Sequence, residues 1–280
     1  MKKDIFILIF FLSIINAKAQ NTNDVSATPS PAIDINKQNT TEELAKKMAN
    51  PVAALISLPL QNNLDIGIGS LKGSRYTLNI QPVIPIGISK KMNLITRVIL
   101  PFVDQYNITG AGQHQSGLSD ALLSAFFSPK VTKNGFTWGA GPILLLPTGT
   151  NQYLTEKKWG IGPTLIVLKQ KKGWTYGLLV NQIWSFAGDA SREKISQMDA
   201  NPFLSYNWKS GAGVTVQLDW TQNWINKNAV LFFVPMFSGL TSFGKQKVSF
   251  AIGPRINLLA PEKIKSKFGL RASMTFLFPK

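Results

Sequence analysis

Strict alternation of apolar and polar residues, repeated over many short segments, limits this chain more than any other feature. A period of two puts successive side chains on opposite faces of a strand, so each segment separates two environments. In 76–89 the even positions carry Tyr76, Leu78, Ile80, Pro82, Ile84, Ile86 and Ile88, while the odd ones include Thr77, Asn79, Gln81 and Ser89. Val214, Val216, Leu218 and Trp220 alternate with Thr215, Gln217, Asp219 and Thr221. Val248, Phe250, Ile252, Ile256 and Leu258 alternate with Ser249, Ala251, Gly253, Arg255 and Asn257. Near the end, Leu270, Ala272, Met274 and Phe276 alternate with Arg271, Ser273 and Thr275.

Twelve segments are marked this way: 52–61, 75–89, 93–104, 117–128, 135–147, 158–170, 173–186, 198–208, 212–221, 229–241, 247–259 and 267–279. The seventh and tenth are apolar on both faces. Connections of a long set (62–74, 105–116, 148–157, 187–197, 222–228, 260–266) alternate with a short set (90–92, 129–134, 171–172, 209–211, 242–246). An even strand number, two loop lengths and opposed faces describe a barrel with lipid outside and water within. The expected fold is all-β: a transmembrane antiparallel up-and-down β-barrel of about twelve strands. Trp and Tyr favour membrane–water interfaces. Threading the segments puts Phe126, Trp138, Trp174, Tyr176, Tyr206, Trp208, Phe276 and Phe278 near the short-turn end, and Phe102, Trp159, Trp184, Trp220 and Phe268 near the other. A soluble sandwich would more often bury its tryptophans mid-strand.

The N-terminus carries an address. Lys2 and Lys3, the apolar run Ile5–Ile15 and the small residues Ala17 and Ala19 have the layout of a cleaved signal peptide over 1–19. The run is too short for a spanning helix. Residues 20–50 read as a flexible periplasmic arm with a short helix, because Thr40 and Glu43 form a capping-box pattern and Pro51 follows. The barrel then occupies 51–280, and the outer membrane is the expected location.

The chain is basic, with 30 Lys and Arg against 14 Asp and Glu. Export makes nucleic acid an improbable partner. Much of the excess sits in the short turns, at Lys90, Lys91, Lys130, Lys133, Lys171, Lys172, Lys209 and Lys245. Such turns are simply solvated, or they attract anionic lipid or a periplasmic polymer. Without cysteine and with one histidine, thiolate chemistry and His-rich metal sites drop out. No catalytic set, metal site or cofactor is expected. His114, Ser116 and Asp120 lie close in sequence, but neighbours on one loop rarely converge as nucleophile, base and orienter.

Alternation points Arg97, Asp120, Asp219, Arg255 and Arg271 into the lumen. Symmetry of the last long loop places Arg255 opposite Arg271, where like charges repel. Either a carboxylate such as Asp120 or Asp219 compensates them, or they form a positive constriction that favours anions. Proline is unusual in central strands, yet Gly-Pro recurs at 141–142, 162–163 and 253–254. Pro142 is expected to face Pro163 across one hairpin. The pair either steers the strands through bulges or weakens that seam enough for a lateral opening.

Several strings resemble a family of outer-membrane transporters linked by name to the meta-pathway of phenol degradation, whose members are often mislabelled neuromedin U. The matching stretches are 50–63, 76–85, 117–120 with 126–129, 138–142 with 146–148, 159–163, 168–170, 174–177, 184–188 and 275–280. The family commonly has Gly where Ser119 stands and His where Gln182 stands. The resemblance implies an outer-membrane barrel with ill-defined cargo. It points to passive movement of small, hydrophobic or aromatic molecules, with membrane lipid and the assembly machinery as partners. The alternatives are a non-conducting surface barrel and, third, a barrel lipid hydrolase.

Overall fold

The computed structural model describes residues 41–279. Most of the expected leader and arm, 1–40, therefore lies outside the described residues. Fifteen strand segments follow one short helix, α1 (Thr41–Met48). They make a closed antiparallel barrel of twelve staves. The first three staves are β1 (Ile56–Ile68), β2 (Gly73–Ile80) continued by β3 (Val83–Gly87), and β4 (Met92–Tyr106). The fourth is β5 (His114–Leu118) continued by β6 (Ala121–Pro129). Then come β7 (Phe136–Leu146), β8 (Lys158–Lys171), β9 (Trp174–Gly188), β10 (Ser196–Asn207), β11 (Gly213–Asn223) and β12 (Asn228–Phe243). The eleventh is β13 (Gln246–Pro254) continued by β14 (Ile256–Leu259), and β15 (Phe268–Phe278) is the last. Each stave pairs with its sequence neighbours, and β1 pairs with β15 to close the wall. Closure leaves no sheet edge, as lipid requires of a strand-built span.

The first stave departs from expectation. It starts later and runs through Ile68, so the anticipated loop 62–74 shrinks to the turn 69–72. Asn62 hid the strand, being a polar residue on the lipid side of the alternation. Its amide donates to the Leu60 and Ala272 carbonyls at 3.3 Å, and its Oδ1 accepts from the Tyr76 hydroxyl at 2.6 Å. These bonds satisfy a polar group that lipid would not. The connection 224–227 is short as well, so the two ends differ less in loop length than the sequence suggested. At the opposite end, Lys172 and Gly173 both take left-handed backbone (φ 50° and 83°), the geometry of a two-residue hairpin turn.

The fourth stave carries a one-residue bulge. Between the pairs Phe102–Leu118 and Ile99–Leu122 it uses one more residue than β4 does. Facing therefore flips at Ser119–Asp120. Phe126, expected in the aromatic girdle, is buried inside, and Phe127 takes the lipid-facing place. The other expected girdle tryptophans are exposed, and Trp174, Tyr206 and Trp208 stack edge to tilt at 4.9 and 5.3 Å.

Pro142 and Pro163 do face each other. The seam between them nevertheless stays paired on both sides. Ladder pairing lapses instead one strand away on each side: between Ser124–Ile143 and Phe127–Ala140, and between Ile161–Trp184 and Thr164–Asn181. The reason is directional. In a facing pair whose nitrogens point away from each other, each proline leaves a carbonyl of its outer neighbour without a donor. The same lapse occurs in β10–β11 beside Pro202. Gly141 and Gly162 precede these prolines, and a Cβ there would come within 1.8 Å of the Ala125 carbonyl oxygen and 1.7 Å of that of Gln182. Only glycine lets the kinked strands close in. The lapses in pairing thus fall at the two flanking seams and not between Pro142 and Pro163. Amide exchange in lipid should be faster at Ala125 and Gln182 than along β7–β8, and equal rates would contradict this reading.

Candidate functional site

The inner face divides into an apolar wall and a polar wall. Ile95, Phe126, Ile166, Leu168 and Leu179 form a buried cluster on β4, β6, β8 and β9. Val52, which precedes the barrel, packs into it. A second cluster joins Leu44 of α1 and Leu55 to Leu277 of β15, with Met48 and Leu240 against it. Residues 41–55 therefore fill the lumen at the short-turn end. Gln170 donates to the Lys46 carbonyl at 2.8 Å and fixes the helix further. The two segments that were apolar on both faces now have a cause. Leu179 and Ile183 of β9, and Phe232 and Val234 of β12, are buried on the inside.

The polar wall is a connected network. Arg271 is nearly fully buried (4% exposed) and donates to Asp219 and to Asn63, each at 2.7 Å. Because β11 and β15 are separated by two staves, the Asp219–Arg271 pair cuts a chord across the lumen. Asn201 adds a bond to Asp219 at 3.1 Å. Arg255 pairs with Asp65 on β1, and its guanidinium lies 3.3 Å over the Phe232 ring centre. Arg75 sits opposite Asp65 and donates to Gln105 at 3.0 Å. Asp199 accepts from Thr221 at 2.7 Å.

Four of the five expected lumen charges, Arg97, Asp219, Arg255 and Arg271, line this inner face. Two details differ. Arg255 does not oppose Arg271: Gly253 does, and Arg255 meets Gly269 instead, two pairs further on. The symmetry estimate misplaced the loop centre by one residue, and both arginines have carboxylate partners. Asp120 faces neither arginine. Released by the bulge, it accepts from the Gly149 amide (3.0 Å), the Thr155 hydroxyl (2.6 Å) and the Glu156 amide (2.7 Å), and so ties down the connection 147–157.

Three charged residues escaped the sequence reading. Asp65 falls in the connection 62–74 that the alternation predicts. Arg75 and Asp199 stood at the edges of segments, although each shares the odd parity of its polar neighbours. His114 also moves, from loop to strand β5. Its Nε2 lies 2.9 Å from Asp104 Oδ2, while Ser116 is the strand neighbour of Asp104 and makes no hydrogen bond to the imidazole. All three are on the outer side.

At the mouth opposite α1, Asp120, Glu156, Glu193, Lys194, Asp199 and Ile183 line a cavity of about 370 Å³. Burial, with the nearby Asp120 and Glu193 carboxylates, pushes the Glu156 carboxyl above its ordinary range against the opposing pull of Arg192. A raised acid favours folding below the unfolded value, and that contribution is lost as pH climbs through the raised one. Protection of 147–157 against exchange, corrected for intrinsic rates, should therefore fall as pH rises through that window. Glu156→Gln should abolish the dependence, and an unchanged profile in this variant would refute it.

The structure is similar to an outer membrane channel from Pseudomonas putida F1, with TM-score 0.64 and 15% identity over 80% of this chain and 96% of that one. The two share a fold. Looser likenesses are to the beta domain of the Bordetella autotransporter BrkA (TM-score 0.48, 12% identity, 80% of this chain and 100% of that one) and to an outer membrane phospholipase from Salmonella typhi (TM-score 0.39, 8% identity, 86% and 99%). No family model matches the chain, and no curated protein matches it in sequence.

Proposed function

We propose that the chain is an outer-membrane channel for passive movement of small molecules, of the kind the phenol meta-pathway family name implies. The observation that carries this is a lumen with two chemistries: an apolar wall beside a neutralised polar network, narrowed by residues 41–55. A structural filler would need neither the cavity at the outer mouth nor a polar lining, while an open porin would have no plug. The N-terminus and the lysine-bearing turns belong on the periplasmic side in this reading, and the leader directs export.

Proteoliposomes with the folded chain should swell in isosmotic small anions, sugars or aromatics and not in larger oligosaccharides. Absence of swelling in every solute would favour the second reading, a non-conducting barrel, which the Asp219–Arg271 chord supports. A lipid hydrolase built on His114, Asp104 and Ser116 is the third. Lipid turnover by the purified chain that disappears in Ser116→Ala would establish it, and turnover equal in both would dismiss it.

A further inference from the structure

The inner-face arginines differ in one respect. Arg255 and Arg271 bond carboxylates, and Arg75 lies directly across from Asp65. Arg97 has no carboxylate partner among the described residues. It donates to the Gln81 side-chain carbonyl, while its cross-strand neighbours are Val83 and Ser124. A guanidinium carries five N–H donors and does not lose its proton in proteins. A charge held away from bulk water needs a counter-charge, and one acceptor oxygen from Gln81 is not one.

Arg97 also faces open space. A cavity of about 200 Å³ lies between the wall and residues 47–55, with Arg97 and Gln81 beside Met48, Leu55, Val83 and Leu277. Arg97 and Gln81 hold one side, Lys47, Asn50, Ser57 and Thr275 add polar groups to the lining, and Met48, Leu55, Val83 and Leu277 supply its apolar surface. We propose that this cavity binds a small monocarboxylate with a compact apolar body, its carboxylate paired with Arg97 and its body against Leu55, Val83 and Leu277. A carboxylate matches the fork with two parallel bonds. Phosphate matches the fork too but has no apolar body to set against Leu55, Val83 and Leu277. The proposal rests on the channel reading in making this anion the cargo. It also makes the N-terminal segment half of the site, so cargo and plug share one surface.

Calorimetric titration of the detergent-folded chain with hexanoate tests it, with hexanamide as the neutral counterpart and inorganic phosphate as the polar anion. Hexanoate should bind saturably and at least tenfold more tightly than either control. Arg97→Gln should weaken it tenfold or more, and Arg97→Lys should weaken it less. Ser57→Trp, which fills the cavity from β1 and leaves Arg97 in place, should also reduce binding. Equal affinity for hexanoate and hexanamide, wild-type affinity in Arg97→Gln or Ser57→Trp, or no saturable binding would each overturn the site. Hexanoate binding without swelling of proteoliposomes upholds the site and contradicts the channel. Hexanoate-driven swelling unchanged by Arg97→Gln contradicts the site and upholds the channel.

Discussion

A chain that starts its folded part at Ile56, lacking residues 41–55, should conduct several-fold more current in planar bilayers than the full chain. Leu44, Val52 and Leu55 are each nearly fully buried in the lumen, so their removal turns side-chain volume into water. A twelve-stranded barrel lies between the filled eight-stranded kind and the open sixteen-stranded kind, and the contents of its lumen decide which it resembles. The gain is not larger because the Asp219–Arg271 chord remains. Wall pairing does not involve the deleted residues, so the truncated chain should still close through β1 and β15. Identical conductance of the two chains would show that the N-terminal segment does not restrict the path.

The second large effect concerns that chord. Asp219→Leu strands Arg271 among buried side chains with only Asn63 for a partner. Removing one member of a buried pair costs about 3–5 kcal/mol, whereas replacing both by apolar residues is close to neutral. Urea unfolding followed by tryptophan fluorescence should show a loss of that size in Asp219→Leu and recovery of most of it in Asp219→Leu/Arg271→Met. A single variant as stable as the parent would mean that water reaches Arg271 and the lumen is open at this level.

The wall was legible in the sequence because a lipid-facing strand obeys a local rule: every second residue must be apolar. From the second stave onward, the expected segments and the observed ones differ by only a few residues at their ends. The rule failed where a side chain broke parity for a reason that lay elsewhere in the fold. Asn62 faces outward because Tyr76 and the Ala272 carbonyl satisfy it. Phe126 turns inward because Asp120, needed to hold 147–157, inserts one residue upstream.

The lumen was only half legible. Parity told which charges point inward, but not who meets whom across the barrel. Asp219 reaches Arg271 over two staves, and Arg255 reaches Asp65 over one, distances that depend on curvature rather than sequence spacing. The contribution of residues 41–55 was hidden for the same reason. A short amphipathic helix and a Pro-broken linker look like a tether until a cavity of matching shape stands beside them.

The lumen and its contents exist only inside a wall of strands hydrogen-bonded into a ring that detergent alone does not open. Electrophoresis of the detergent-folded chain, with and without boiling, asks that question most directly. A closed barrel keeps its compact form until heated, so the two samples should run at different positions. Coincident bands, or a chain that stays dispersed with no amphiphile present, would contradict the account.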